Sequence, residues 1–165
     1  MPNRKTSPDN PVEILLVEDN AGDIRLIHEA FKEGGSASRL SIARDGEQAL
    51  AFLRREKPYT DSPRPVLILL DLHLPRKDGW EVLAEIKEEV GLRHIPVLVL
   101  SNSISTEDVH RAYDLNANCY IQKPPDLEKL VRVGRQIEAF WLGTVVLPPS
   151  WKPVQPVLRA SRKIA

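Results

Sequence analysis

Five short apolar runs punctuate the chain, and three of them, Val12–Val17, Val66–Leu70 and Val97–Leu100, are almost unbroken Val, Ile and Leu. A strand with one wet face alternates apolar and polar residues, so a run without alternation must be covered on both faces. Leu40–Ala43 and Cys119–Ile121 complete the set of predicted strands. Helical patterns separate them. Ile24, Ile27, His28 and Phe31 share one helical face, as do Val82, Leu83, Ile86 and Val90, and later Leu127, Leu130, Val131, Gly134 and Ile137. Asp45-Gly-Glu-Gln48 and Asp78-Gly-Trp-Glu81 have the form of capping boxes, and Ser105 or Thr106 can cap the helix after them. Gly34-Gly35 is a natural stop for the first helix. Strand then helix, five times over, predicts a doubly wound α/β domain: a five-stranded parallel sheet with five helices.

The 165 residues fit one domain at about 100–200 residues each. A hydrophobic fraction of 42% and a charged fraction of 28% are ordinary for a globular chain. Twenty-three basic and 23 acidic residues cancel, which argues against DNA as a partner. The single Cys119 excludes an internal disulfide and points to a reducing compartment. The first residues, Met1-Pro-Asn-Arg-Lys-Thr-Ser-Pro, lack the apolar stretch of a secretory signal, and no run is long enough to cross a bilayer. The expectation is a cytoplasmic protein with no membrane partner.

In sheets of this kind functional groups collect beyond the carboxyl ends of the strands, where strand order reverses. The residues there are Glu18-Asp19-Asn20, Asp71, Ser101-Asn102 and Gln122-Lys123-Pro124. Each acid alone could be a simple helix cap or turn former. Together, Glu18, Asp19 and Asp71 put three carboxylates in one shallow pocket. Two like charges ~4 Å apart repel by about 4 kcal/mol at an effective dielectric of roughly 20, so the cluster calls for a counter-ion or raised pKa values. Mg²⁺ suits it best, because that ion accepts one or two carboxylates and a phosphate while keeping waters.

Leu15-Leu-Val-Glu-Asp-Asn20, Leu70-Asp-Leu-His-Leu-Pro75, Val99-Leu-Ser101 and Tyr120-Ile-Gln-Lys-Pro124 together resemble a response-regulator receiver domain over residues 12–142. The resemblance implies a flavodoxin-like sheet of order 2-1-3-4-5. It implies a stand-alone two-component signalling protein, rather than an enzyme acting on other molecules, that takes a phosphoryl group from a histidine kinase onto its own aspartate. Asp71 would be the acceptor. Glu18, Asp19, Asp71 and the backbone carbonyl of His73 would bind Mg²⁺, and Ser101 and Lys123 would contact the phosphoryl oxygens. Ser101 and Tyr120 would form the switch, and Lys123-Pro124 would carry a cis peptide. Glu18 stands where Asp is commoner in the family, and His73 and Ser103 occupy positions that tune phosphoryl lifetime. The long link Arg55–Pro65, with Asn118-Cys-Tyr-Ile121 and Phe140-Trp-Leu-Gly-Thr-Val-Val-Leu-Pro148, resembles the small regulators paired with bacterial and cyanobacterial phytochromes.

Other residues carry blander expectations. His28, His94 and His110 lack partners at metal-ligand spacing, Cys119 reads as a small core residue, Trp80 as packing or a partner contact, and Glu85–Glu89 as a solvated helix face. Residues 1–11 read as a flexible lead-in. Residues 143–165 are too few for a DNA-binding or catalytic module, and Phe140, Trp141, Val145, Val146, Leu147, Trp151, Val154, Val157 and Leu158 make the final stretch apolar. Its prolines favour an extended arm, expected to dock or to support a homodimer through the face of the fourth helix, fifth strand and fifth helix. Rival functions fit less well. A haloacid-dehalogenase-type phosphotransferase needs a second Asp where His73 stands, and an FMN carrier needs a Ser/Thr/Gly-rich loop where Glu18-Asp19-Asn20 stands. A receiver fold that signals without phosphorylation is the remaining alternative.

Overall fold

The computed structural model describes residues 11–33 and 37–149. In chain order the elements are β1 (Val12–Val17), α1 (Ala21–Glu33), β2 (Ser38–Ala43), α2 (Gly46–Arg54), β3 (Leu67–Asp71) and α3 (Gly79–Glu88). They continue with β4 (Val97–Ser101), α4 (Thr106–Asp114), β5 (Cys119–Gln122) and α5 (Leu127–Ile137), which runs into a π-helical turn over Glu138–Leu142. All strands are parallel, in the order β2-β1-β3-β4-β5. Strand order therefore reverses at β1, and the crevice outside β1 and β3 is where this fold exposes strand ends to a ligand.

The unbroken apolar runs are divided between two cores. Successive side chains of a strand point to opposite faces. Leu15, Ile68, Leu70, Val97 and Val99 pack on one side against α2 and α3 residues such as Leu50, Leu53, Val82, Leu83 and Ile86. Ile14, Leu16, Leu67, Leu69, Leu98 and Leu100 pack on the other against Ile24, Ile27 and Phe31 of α1 and Leu130 and Ile137 of α5. α1 and α5 meet closely: a Cβ on Gly134 would stand 2.6 Å from the Ala30 Cβ.

Several local expectations are revised. Strands β3, β4 and β5 each extend one residue further than the apolar runs, so Asp71, Ser101 and Gln122 are the last strand residues. β2 begins two residues earlier, at Ser38. His28 is exposed, and Ala30 takes its place on the buried face of α1. Val90 lies past the end of α3 and is 67% exposed, and Leu127 at the start of α5 is 63% exposed. At α2 the Asp45 side chain accepts from the Gln48 N–H, but the Gln48 side chain accepts from Arg44 rather than from the cap itself. The box at α3 is complete between Asp78 and Glu81, and Ser105 caps α4. Gly34-Gly35, residues 1–10 and residues 150–165, including Trp151, Val154, Val157 and Leu158, lie outside the described residues.

Glu85–Glu89 is not a free solvated face. Glu85 pairs with Arg54 and Lys77, and Glu89 pairs with Arg54. Lys87 turns inward, donating to the carbonyls of Ile95 (3.0 Å) and Arg93 (3.2 Å) and to Asn118 Oδ1 (3.0 Å). Its partners are all neutral, and burial pushes the ammonium down to about 8.

Gly79 sets how closely α3 approaches the end of β3. Its N–H donates to the Leu72 carbonyl at 2.9 Å, and a Cβ there would fall 2.2 Å from the Asp71 carbonyl oxygen. The atoms in the way are backbone of Asp71 and Leu72, which cannot swing aside as a side chain could. Gly79→Ala should therefore lower stability in urea unfolding by about 1–3 kcal/mol, the usual cost of overpacking, whereas Ala at the roomier Gly91 should not.

Candidate functional site

β1 ends at Val17, but the Glu18 N–H still donates to the Ala43 carbonyl at 3.0 Å, so the β1–β2 ladder carries the Glu18 side chain inward. That side chain is 1% exposed. Its Oε1 accepts from the Asn20 N–H at 3.0 Å, and its Oε2 accepts from the Lys123 ammonium. Asp71, 8% exposed at the end of β3, accepts from the His73 N–H on Oδ1 (3.1 Å) and from Lys123 Nζ on Oδ2 (2.9 Å). Asp19 is exposed beside them. Carboxylate oxygens of Glu18, Asp19 and Asp71 all lie within 4.8 Å of one another. The three acids foreseen from strand ends thus do converge.

Lys123 reaches them from beyond β5. Its backbone N–H donates to the Ser101 carbonyl at 2.7 Å, which aligns the β5 exit with the end of β4 and aims the side chain across β4 and β3 toward β1. The Lys123–Pro124 peptide is not cis; the cis X-Pro bond among the described residues is Lys57–Pro58. Trans is the lower-energy form of an X-Pro bond, and Lys123 makes all its contacts from it.

The third N–H of the ammonium goes to a residue the strand-end reading missed: Asp23 Oδ2, at 3.1 Å. Asp23 lies in the first turn of α1, where its N–H donates to Asn20 Oδ1. Nothing local to the sequence marks Asp23 out, because its partner Lys123 is 100 residues away.

The electrostatics are those of an acid-rich pocket with one cation. Burial, followed by the charge of Asp71, pushes the Glu18 carboxyl up to about 7 against the pull of Lys123. Burial pulls the Lys123 ammonium down, but its bonds to Glu18 and Asp71 outweigh that and raise it above the usual lysine range. Four carboxylates face one ammonium, a field that favours a further cation.

Ser101 is fully buried, and its Oγ accepts from the Ser103 N–H at 3.2 Å. Tyr120 is half-buried against the α2–α3 core, and its hydroxyl donates to the Ser103 carbonyl at 3.0 Å. Ser103 Oγ in turn donates to Asp108 and accepts from the Ser105 N–H, at the cap of α4. Ser103 therefore links the buried hydroxyl, the tyrosine and α4. Trp80 lies half-buried on the same core with the Arg111 guanidinium of α4 4.4 Å from its ring centroid, so it packs and also joins α3 to α4. Cys119 is half-buried, and burial pushes its thiol up to about 11, as a packing residue requires.

The response regulator receiver domain model matches residues 14–134. Response regulator Rcp1 of Synechocystis sp. is 51% identical over 138 residues, covering 84% of this chain and 94% of that protein. The phosphorylated cyanobacterial phytochrome response regulator RcpA aligns with a TM-score of 0.82 at 50% identity, over 85% of this chain and all of that one. The Mn²⁺-bound form of Rcp1 aligns at 0.81, also at 50% identity, over 84% of this chain and all of that one. With the acidic pocket at the reversal of a 2-1-3-4-5 sheet and matches across most of its length, the chain belongs to the response regulator receiver domain family.

Proposed function

We propose that this protein is a response regulator that accepts a phosphoryl group on Asp71 from a sensor histidine kinase of phytochrome type, and that it acts in the cytoplasm. The carrying observation is the meeting of Asp71, Glu18, Asp19 and Lys123 at the strand ends. The phytochrome assignment draws support from the likeness to RcpA.

The donor set, hard oxygens with a surplus of negative charge, fits a divalent cation, and Mg²⁺ fits it best. Glu18, Asp19, Asp71 and the His73 carbonyl would hold it. When bound, the ion supplies positive charge beside the acceptor and the incoming phosphoryl oxygens. An Asp71 oxygen attacks phosphorus while the bond from phosphorus to the donor nitrogen breaks, and the electron pair leaves with the imidazole. Asp71 has one protein donor on each oxygen, so lone pairs remain for attack. Lys123 and Ser101 then donate to the phosphoryl oxygens, where spreading charge needs fixed donors.

For Ser101 to do so its hydroxyl must turn toward Asp71, which strains its bond from the Ser103 N–H. Ser103 also holds the Tyr120 hydroxyl, so a shift there frees the ring and moves the start of α4. The readout is the α4–β5–α5 face, where Ile104, Tyr113 and Leu127 are exposed. We assign a homodimer to that face, aided by the arm of residues 143–165 appended to the receiver unit of residues 12–142.

Incubation with acetyl phosphate and Mg²⁺ should add one phosphoryl group, roughly 80 Da by intact mass, and Asp71→Asn should gain none. Because Glu18 titrates near 7 and binds metal only as carboxylate, calorimetric Mg²⁺ affinity should fall roughly tenfold between about pH 8 and about pH 6. Glu18→Gln should flatten that dependence. By light scattering, a chain ended after Gly143 should show a smaller dimer fraction than the full chain.

A further inference from the structure

A lysine ammonium has three N–H donors, and each of those on Lys123 meets a different carboxylate. Two of these acids have further duties in phosphoryl acceptance and metal binding. Glu18 and Asp71 are sealed in the pocket and belong to the trio whose oxygens converge. Asp23 stands apart from that trio. Its side chain is 26% exposed, at the solvent side of the ammonium, and it is carried by α1 rather than by a strand end. Its own position is fixed, since its N–H donates to Asn20 Oδ1 at 3.0 Å. The positive end of α1 favours a carboxylate in that first turn.

Phosphorylation turns the Asp71 carboxylate into an acyl phosphate, so the Lys123 N–H that meets Asp71 Oδ2 has to be re-aimed at a phosphoryl oxygen. Metal binding would draw on Glu18. Asp23 is the partner that neither event consumes. Lysine carries a compact charge on a flexible four-carbon stem, so a partner that stays in place narrows where the ammonium can point while that N–H changes acceptor. We propose that Asp23 is a positioning residue that holds the Lys123 ammonium at the mouth of the pocket, directed at the phosphoryl oxygens while Asp71 is modified. This rests on Asp71 being the phosphoryl acceptor. Asp23 also adds negative charge, which by itself would only repel an anionic donor, and the two roles have opposite kinetic signatures.

The test follows phosphorylation of the full chain by acetyl phosphate with Mg²⁺, read by intact mass over a range of donor concentrations. Asp23→Asn should lower the maximal rate roughly tenfold, with a small change in the half-saturating donor concentration. In a Lys123→Ala background the same substitution should change the rate by less than about twofold, since residues acting through one another are not additive. Asp23→Glu should restore part of the rate, and circular dichroism should show every variant folded. An unchanged maximal rate with tighter donor saturation would mean that Asp23 acts only by charge repulsion, and the proposal fails. An equal factor in both backgrounds also overturns it, because Asp23 would not then act through Lys123. If the wild-type chain gains no phosphoryl group at all, the Asp71 reading falls first and takes this one with it.

Discussion

One buried ammonium ties together the parts of this molecule that matter for its chemistry. Lys123 is 3% exposed and donates to carboxylates from the end of β1, the end of β3 and the first turn of α1. A buried charge is tolerated only when it is paired and its donors are used, and here all three N–H groups are. The acids have the complementary problem: four carboxylates crowd one cation, and Glu18, the most enclosed, is pushed toward neutrality. The pocket is thus held together yet still short of positive charge. That imbalance makes it receptive to a divalent ion and, with the ion, to an anionic group.

The hydrophobic framework exists at this precision because the sheet is sealed on both sides. Asp71 and Ser101 are the terminal residues of fully buried strands, and their positions follow from the register of β3 with β4 and of β4 with β5. Gly79 lets α3 approach the Asp71 carbonyl, so the end of β3 is backed by helix backbone rather than by loop. At the opposite end of the sheet, Lys87 and Asn118 tie α3 to the starts of β4 and β5. Strand register and helix backbone therefore fix the position of the Asp71 carboxylate.

The link from the pocket to the surface is short. Ser101, Ser103 and Tyr120 are joined by two hydrogen bonds, and Ser103 also sits in the cap of α4. The Arg111–Trp80 contact gives α4 a second tether, to the helix that follows Asp71. α4 is thus tied both to the end of β4 through Ser101 and Ser103 and to α3 through Trp80.

Much of this was legible in the residues alone. Unbroken Val/Ile/Leu runs require a sheet covered on both faces, and looking beyond the strand ends picked out Glu18, Asp19, Asp71 and Lys123, whose side chains meet in one pocket. The caps at Asp78 and Ser105 were equally readable, because capping depends on neighbours three residues away. What the chain alone could not decide involves partners distant in sequence. Asp23 is one of several first-turn acids until the β5 exit brings Lys123 to it across 100 residues. Lys87 looks like a solvated lysine until carbonyls of the α3–β4 link and Asn118 surround it, and Val90 looks like a core residue until α3 stops short of it. Periodicity and terminal chemistry are local properties, written in adjacent residues. The partners of an ammonium are set by where separate strands end in space, and only the folded sheet determines that.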